Sequence, residues 1–140
     1  MVPGEIYAHE QFYISRESGR FERKYILILA FSRGGDIVGR LLTSRAHGRP
    51  RNPPCFHGNP YPGYFLGALG APLTAESWLD LRSMGELDVY EFERDCRNGL
   101  ARRVHVLDQG MFLAALECAA GAEDTTRAQE QAIRDHIANH

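Results

Sequence analysis

The period of the apolar positions changes several times along this chain, and the changes predict a run of short strands followed by helices. Pro3-Gly4 is a turn signal, and Glu5 to Phe12 then mixes Ile6, Tyr7 and Phe12 with polar residues as a strand does. Ser15 to Glu22 is polar, holds Gly19, and predicts a loop. Lys24 to Phe31 is a continuous, partly β-branched apolar run. Such a run predicts a central strand buried on both faces. Gly34-Gly35-Asp36 predicts a tight turn into a second strand, Ile37 to Thr43, so the two strands should form a hairpin. Arg45 to Pro62 contains Pro50, Pro53, Pro54, Pro60 and Pro62 with Gly48 and Gly58, a density that neither a helix nor a central strand tolerates. A loop of that length inside a domain is usually functional or mobile.

Tyr64 to Leu69 predicts a short strand ended by Pro72. Trp78 to Ser83 and Leu87 to Phe92 alternate apolar and polar residues and predict two more strands, with Met84-Gly85 between them. Arg102 to Leu107 predicts the last. Asp108 is a candidate N-cap, Met111, Phe112, Ala115, Leu116 and Ala119 follow at helical spacing, and Gly121 is a stop. Thr126 and Gln129 form a capping-box pattern for a second helix reaching Ala138. Its apolar stripe, Ala132, Ile133 and Ile137, is narrow and predicts a helix on the surface or docked on a partner. The expected fold class is α+β, a small β-barrel of about six or seven strands with one or two C-terminal helices. Residues 1–107 would form the strand-rich part and 108–138 the helices of a single domain spanning 1–140.

Composition agrees with a globular domain: 44% of residues are hydrophobic and 24% charged, which excludes the low-hydrophobicity mix of a disordered chain. No apolar run approaches the roughly 18 residues of a membrane span, and Met1 to Glu10 lacks a signal-peptide pattern. Cys55, Cys96 and Cys118 are widely spaced, with no paired motif. The expectation is a reduced, cytoplasmic chain in which each cysteine is a small buried hydrophobe.

The net charge of −2 conceals an uneven distribution. Ile37 to Ala75 contains no Asp or Glu but four arginines, Arg40, Arg45, Arg49 and Arg51. From Glu76 onward there are thirteen acids and seven bases. This asymmetry predicts a basic surface on an acidic body and a polyanionic partner. Within it, Thr43-Ser44-Arg45 places two hydroxyls and a guanidinium where a core strand meets the proline-rich loop. Arg23-Lys24 opens the preceding strand, so a hairpin would bring Arg23, Lys24, Thr43, Ser44 and Arg45 to one end. Hydroxyls beside convergent cations can hold a phosphate. In the loop, His47, Arg49, Arg51, His57, Phe56, Tyr61 and Tyr64 interleave cations with rings, a pattern suited to single-stranded nucleic acid. Cys55 and His57 alone do not make a metal site, since structural zinc takes about four ligands. No nucleotide-binding, acyl-transfer or zinc-protease motif is present, and neither a metal nor a cofactor is expected.

At these residues the sequence resembles the MazF/PemK family of toxin endoribonucleases. Pro3-Gly4-Glu5-Ile6-Tyr7 is similar to the family's opening Gly-Asp-Ile/Val-aromatic strand. Arg23 to Leu29 is similar to its Arg-Pro-Val-Leu-Val-Leu strand, and Val38 to Ser44 to its strand ending in Ile-Thr-Ser. Val104 to Ala120 resembles the closing strand and helix. The resemblance implies an SH3-like barrel, a homodimer, a cognate antitoxin, and metal-independent cleavage of single-stranded RNA through the substrate's 2′-hydroxyl. Thr43 would be the catalytic threonine. Lys24 stands where the family carries arginine, with Arg23 one residue earlier and Tyr25 in place of proline. Arg23, Lys24, Thr43 and Ser44 are therefore the candidate catalytic residues. Arg40, Arg45, His47, Arg49, Arg51, His57 and Tyr61 are the candidate RNA contacts. The alternatives are a non-catalytic SH3-like module that binds nucleic acid or an acidic protein, and a structural subunit whose last helix docks on a partner.

Overall fold

The apolar run of the second strand is where the architecture starts. The structure is a computed structural model that describes residues 1–14, 18–85 and 87–140, with side chains excepted at 13 and 14. The Ser15–Glu17 part of the expected loop lies outside the described residues. Among the described residues, eight strands form one antiparallel sheet: β1 (Glu5–Ile14), β2 (Phe21–Phe31), β3 (Asp36–Thr43), β4 (Cys55–Phe56), β5 (Gly63–Gly67), β6 (Ser77–Asp80), β7 (Leu87–Asp88) and β8 (Ala101–Val106). The order is β4-β5-β6-β3-β2-β1-β8, and β7 pairs with the first residues of β3. The outer strands of that path, β4 and β8, are not paired with each other among the described residues, so the sheet is open.

β2 lies between β1 and β3, as its unbroken apolar run predicts. Its alternate residues feed two cores. Leu27 and Leu29 join Ile6, Leu79, Leu81, Phe112, Leu116 and Ile133 on one face. Ile26 and Ile28 join Tyr7, Ile37, Phe92 and Ala101 on the other. Helices α2 (Gln109–Ala120) and α3 (Arg127–Ala138) cover the first face, and α1 (Val89–Arg97) covers the second. The β2–β3 turn is made by Gly35, whose φ of 86° suits glycine, and Gly35 N–H donates to Ser32 O.

The helix ends follow their sequence signals. Asp108 caps α2 by accepting from Met111 N–H, and Thr126 and Gln129 exchange both bonds of a capping box at α3. The narrow stripe of α3 is not left for a partner. Ile133 is fully buried, and Ala132 and Ile137 pack on the same core. An apolar face three residues wide is enough when its neighbours are the small Ala115, Ala119 and Ala122.

The expected strand over Leu87 to Phe92 is corrected: β7 stops at Asp88, and α1 begins at Val89. Asp88 accepts from Glu91 N–H as an N-cap, and Val89, Phe92 and Cys96 fall on one helical face toward the second core. Among the described residues, three helices thus replace the expected one or two. Two of the eight strands are only two residues long, which is why the count exceeds expectation. β6 and β7 are not a hairpin through Met84-Gly85, because each pairs with β3.

The reduced-thiol expectation is also corrected. Cys55 of β4 and Cys118 of α2 form a disulfide, which removes the cysteine argument for a cytoplasmic chain; Cys96 is free. No helix among the described residues is long and apolar enough to cross a membrane. The disulfide joins residues 63 apart in sequence. Closing a loop of that length should contribute on the order of 3–4 kcal/mol. Cys55→Ser and Cys118→Ser are each expected to lower the unfolding free energy by about that amount in urea titrations followed by Trp78 fluorescence. Excess dithiothreitol should have the same effect on the wild type and none on either variant.

Candidate functional site

A cleft of about 750 Å³ opens where β2 and β3 part. The two strands pair up to Ile26↔Leu41. Before Ile26, β2 pairs only with β1, through Tyr25↔Ala8 and Lys24↔His9. Beyond Leu41, β3 pairs only with β6, through Leu42↔Leu79 and Thr43↔Trp78. The β2–β3 ladder therefore ends at this pair, and the two strands diverge toward β1 and β6. Extending the β2–β3 register puts Lys24 opposite Thr43, on the side that carries Ile26 and Leu41 into the second core.

The walls hold Glu22, Arg23, Lys24 and Tyr25 from β2 and Leu41 to Arg45 from β3 and the turn after it. His47, Arg49, Thr74, Ala75, Ser77, Asp80 and Arg82 complete them. Arg23, Lys24, Thr43, Ser44 and Arg45 thus meet at one place, as the hairpin predicted. Thr43 Oγ1 accepts from Arg45 N–H at 3.1 Å, which fixes the turn and leaves the hydroxyl proton free to donate. Arg45 is exposed, and its side chain forms no ion pair among the described residues. Arg23 is bound to Glu10 at 2.9 Å, and that bond holds its guanidinium above the usual range. Lys24 Nζ lies 3.9 Å from Glu22.

Beneath the cleft is a buried arginine. Arg49 is 4% exposed. Its Nε–H donates to Pro62 O at 3.0 Å, and Nη1 donates to Arg45 O and Ala46 O. Nη2 lies 3.2 Å from Asp80 Oδ1, close but out of hydrogen-bond alignment. Burial pushes the Arg49 guanidinium down, and Asp80 opposes this. Burial also pushes the Asp80 carboxyl up, but bonds from Arg82 and the nearby Arg49 outweigh it and hold Asp80 below the carboxylate range. Arg82 reaches Asp80 with a fork at 2.7–3.2 Å and stands over the Tyr61 ring. Gly63 makes room for this network, since a Cβ there would fall 2.5 Å from Arg49 Cδ.

The turn at the mouth is strained. His47 has φ 47°, and Gly48 follows at 84°, while Arg49 N–H donates to Ala46 O. A non-glycine residue in this region costs on the order of 1 kcal/mol, offset here by the stack of His47 on Tyr61 at 4.7 Å.

Several expected RNA contacts are elsewhere. Arg40 is 1% exposed: it faces the core from β3 and donates to Gly39 O, Thr125 Oγ1 and Gln129 Oε1, tying β3 to the start of α3. Arg49 is structural, as described. Arg51 is exposed but forks onto Glu76, outside the cleft. Tyr61 does not line the cleft but supports His47 from behind. His57 lies away from it, beside the disulfide, with Nε2 2.9 Å from Cys118 O. The expected basic surface is corrected accordingly. Acids from beyond Ala75 fold back onto it, so Arg49 and Arg51 are matched by Asp80 and Glu76, and Arg40 is enclosed. Sequence reasoning missed Asp80 and Arg82. Their one signal was an acid and a base two apart on a strand, which places both on one face.

Asp80→Asn should lower stability by about 3 kcal/mol at neutral pH, because Arg49 then stays buried without its countercharge. The pH dependence has a definite sign. Since Asp80 is depressed in the fold, its contribution is complete above the unfolded value, about 3.9, and is lost as pH falls through the folded one. Urea unfolding of Asp80→Asn should therefore change less than the wild type below about pH 4, although Glu5, Glu10 and Glu76 still titrate there.

Comparison of the chain with family models, with curated proteins and with solved structures found no match.

Proposed function

We propose that this cleft binds the backbone of single-stranded RNA and cleaves it without a metal, as a divergent MazF/PemK-like endoribonuclease. The observation that carries the reading is the meeting of Lys24, Thr43, Ser44 and Arg45 in the cleft where β2 and β3 part. Lys24 and Arg45 supply positive charge from opposite walls, and Thr43 and Ser44 supply hydroxyl donors between them. A phosphodiester seated there meets cations for its charge and donors for its non-bridging oxygens. The substrate's own 2′-oxygen attacks phosphorus and loses its proton, and the 5′-oxygen leaves and takes one up, giving a cyclic phosphate. His47, held at the mouth by Tyr61, is the ring placed to move those protons. Lys24 stabilises the transition state as a point charge, without the two-pronged geometry of an arginine. In this reading the sheet is an opened SH3-like barrel. The partners are single-stranded RNA, a second copy of the chain and an acidic antitoxin segment that competes for the cleft.

A second reading has support of its own. Arg23 and Lys24 already face Glu10 and Glu22, and such engaged cations suit a module that binds RNA or an acidic protein without cleaving it.

Purified protein incubated with a single-stranded RNA is expected to give fragments ending in cyclic phosphate in the presence of EDTA. Thr43→Ala should slow cleavage by about 10²-fold, the usual cost of losing one donor to developing charge. Arg45→Ala should weaken binding and flatten its log–log salt dependence by about 0.7, the value of one single-strand phosphate contact. Salt-sensitive binding with no fragments would select the binding module, and neither binding nor cleavage would remove both readings.

A further inference from the structure

A second cluster of chemically active side chains lies away from the cleft. Cys55, His57 and Cys118 come from the proline-rich loop and from α2, and their donor atoms all lie within 4.8 Å of one another. His57 Nε2 is 3.5 Å from the sulfur of Cys55 and 3.5 Å from the sulfur of Cys118. Two sulfurs and an imidazole nitrogen are the soft donors that zinc prefers. In a tetrahedral site with ordinary zinc–sulfur and zinc–nitrogen bonds, each sulfur-to-nitrogen edge is about 3.5 Å. The nitrogen already stands at that distance from both sulfurs.

We propose that, once the disulfide is reduced, Cys55, His57 and Cys118 form a three-ligand site for a thiophilic divalent cation of the zinc class. Disulfide and metal are then alternative states of the same cluster. The proposal is independent of the RNA reading. The steps balance. A dithiol reductant delivers two electrons and two protons to the sulfur–sulfur bond and is itself oxidised to a disulfide. The cation then displaces the two thiol protons, and two thiolates neutralise its charge, so no net charge is left between loop and helix. The His57 Nε2 proton moves to Nδ1, and the bond to Cys118 O is exchanged for the metal.

The surroundings favour a defined ligand set over a chance encounter. The His57 ring packs on Gly121, the C-cap of α2, where a Cβ would lie 3.3 Å from Cε1. Glycine there lets the imidazole approach the helix end. Cys118 is buried, Cys55 is half-buried and His57 is exposed. The fourth coordination position therefore faces solvent, the arrangement of a zinc site with three protein ligands and an exchangeable water. To accept the ion the sulfurs separate to about 3.8 Å, a side-chain adjustment rather than a rearrangement of the backbone. Both states tie β4 to α2, so the loop that bears His47 stays anchored in either.

The test uses the full chain, reduced with a phosphine and freed of reductant, then mixed with Zn²⁺ or Co²⁺ and passed through a desalting column. Reduced wild type is expected to retain about one ion per chain, and its Co²⁺ form to show thiolate charge-transfer and tetrahedral bands. The disulfide form should retain none, and Cys96→Ser should match the wild type. Cys118→Ser should lose the charge-transfer intensity. His57→Ala keeps both cysteines and can still close the disulfide, so its folding is checked in that state. On reduction it should bind Zn²⁺ more than about 100-fold more weakly, beyond what loss of an outer partner costs. No retained ion in the reduced wild type overturns the proposal. So does retention by His57→Ala or Cys118→Ser equal to that of the wild type.

Discussion

The buried guanidinium of Arg49 is the constraint on which the candidate site rests. A proline-rich segment cannot bond to itself through a ladder, because its prolines lack N–H groups and their φ is fixed. Its carbonyls need donors from elsewhere. Arg49 supplies three of its N–H groups to Arg45 O, Ala46 O and Pro62 O, gathering both ends of the loop around one side chain. The charge that this brings into the interior is met by Asp80 from β6. One residue thus decides where the loop begins and ends and how it sits on the sheet. Gly63 is small for the same reason.

With the loop held in this way, the cleft follows from strand pairing. β3 leaves β2 after Leu41 and continues against β6, while β2 continues against β1. The gap between them receives the polar ends of both strands, because the apolar residues have been spent on the two cores. Lys24, Thr43, Ser44 and Arg45 meet there through topology, and Asp80 at the end of β6 and Arg82 just beyond it join them. The charge balance of the cleft differs from that of the sequence segment that supplies it. Arg45 remains exposed, whereas Arg40 and Arg49 are enclosed and Arg51 faces Glu76.

The cysteine–histidine cluster has the same origin. Two residues apart, Cys55 and His57 are an incomplete ligand pair. The third donor, Cys118, arrives from α2 because that helix packs over β4 and β5. What reads as a lone cysteine and a loop histidine becomes a covalent tie between loop and helix.

Much of the fold is legible from local pattern. The run Lys24 to Phe31 must be central because both of its faces are apolar. Asp108, Thr126 and Gln129 mark helix starts because their side chains satisfy backbone donors a few residues away. The hairpin through Gly34-Gly35 brings Lys24 and Thr43 to one end because turn and strand periods are both short-range. The sequence misled where a short segment fitted two periods, as at Leu87 to Phe92, where Asp88 capping and the spacing of Val89, Phe92 and Cys96 favour α1. Side-chain fate was decided only by the tertiary structure. Arg40 within β3 and Arg45 just beyond its end lie five residues apart, yet one is sealed against Gln129 and the other is open to solvent. Whether an arginine meets solvent, a carbonyl or a carboxylate depends on residues far along the chain. Local sequence therefore determined which residues could reach the cleft, and long-range packing determined which charges remain there to act.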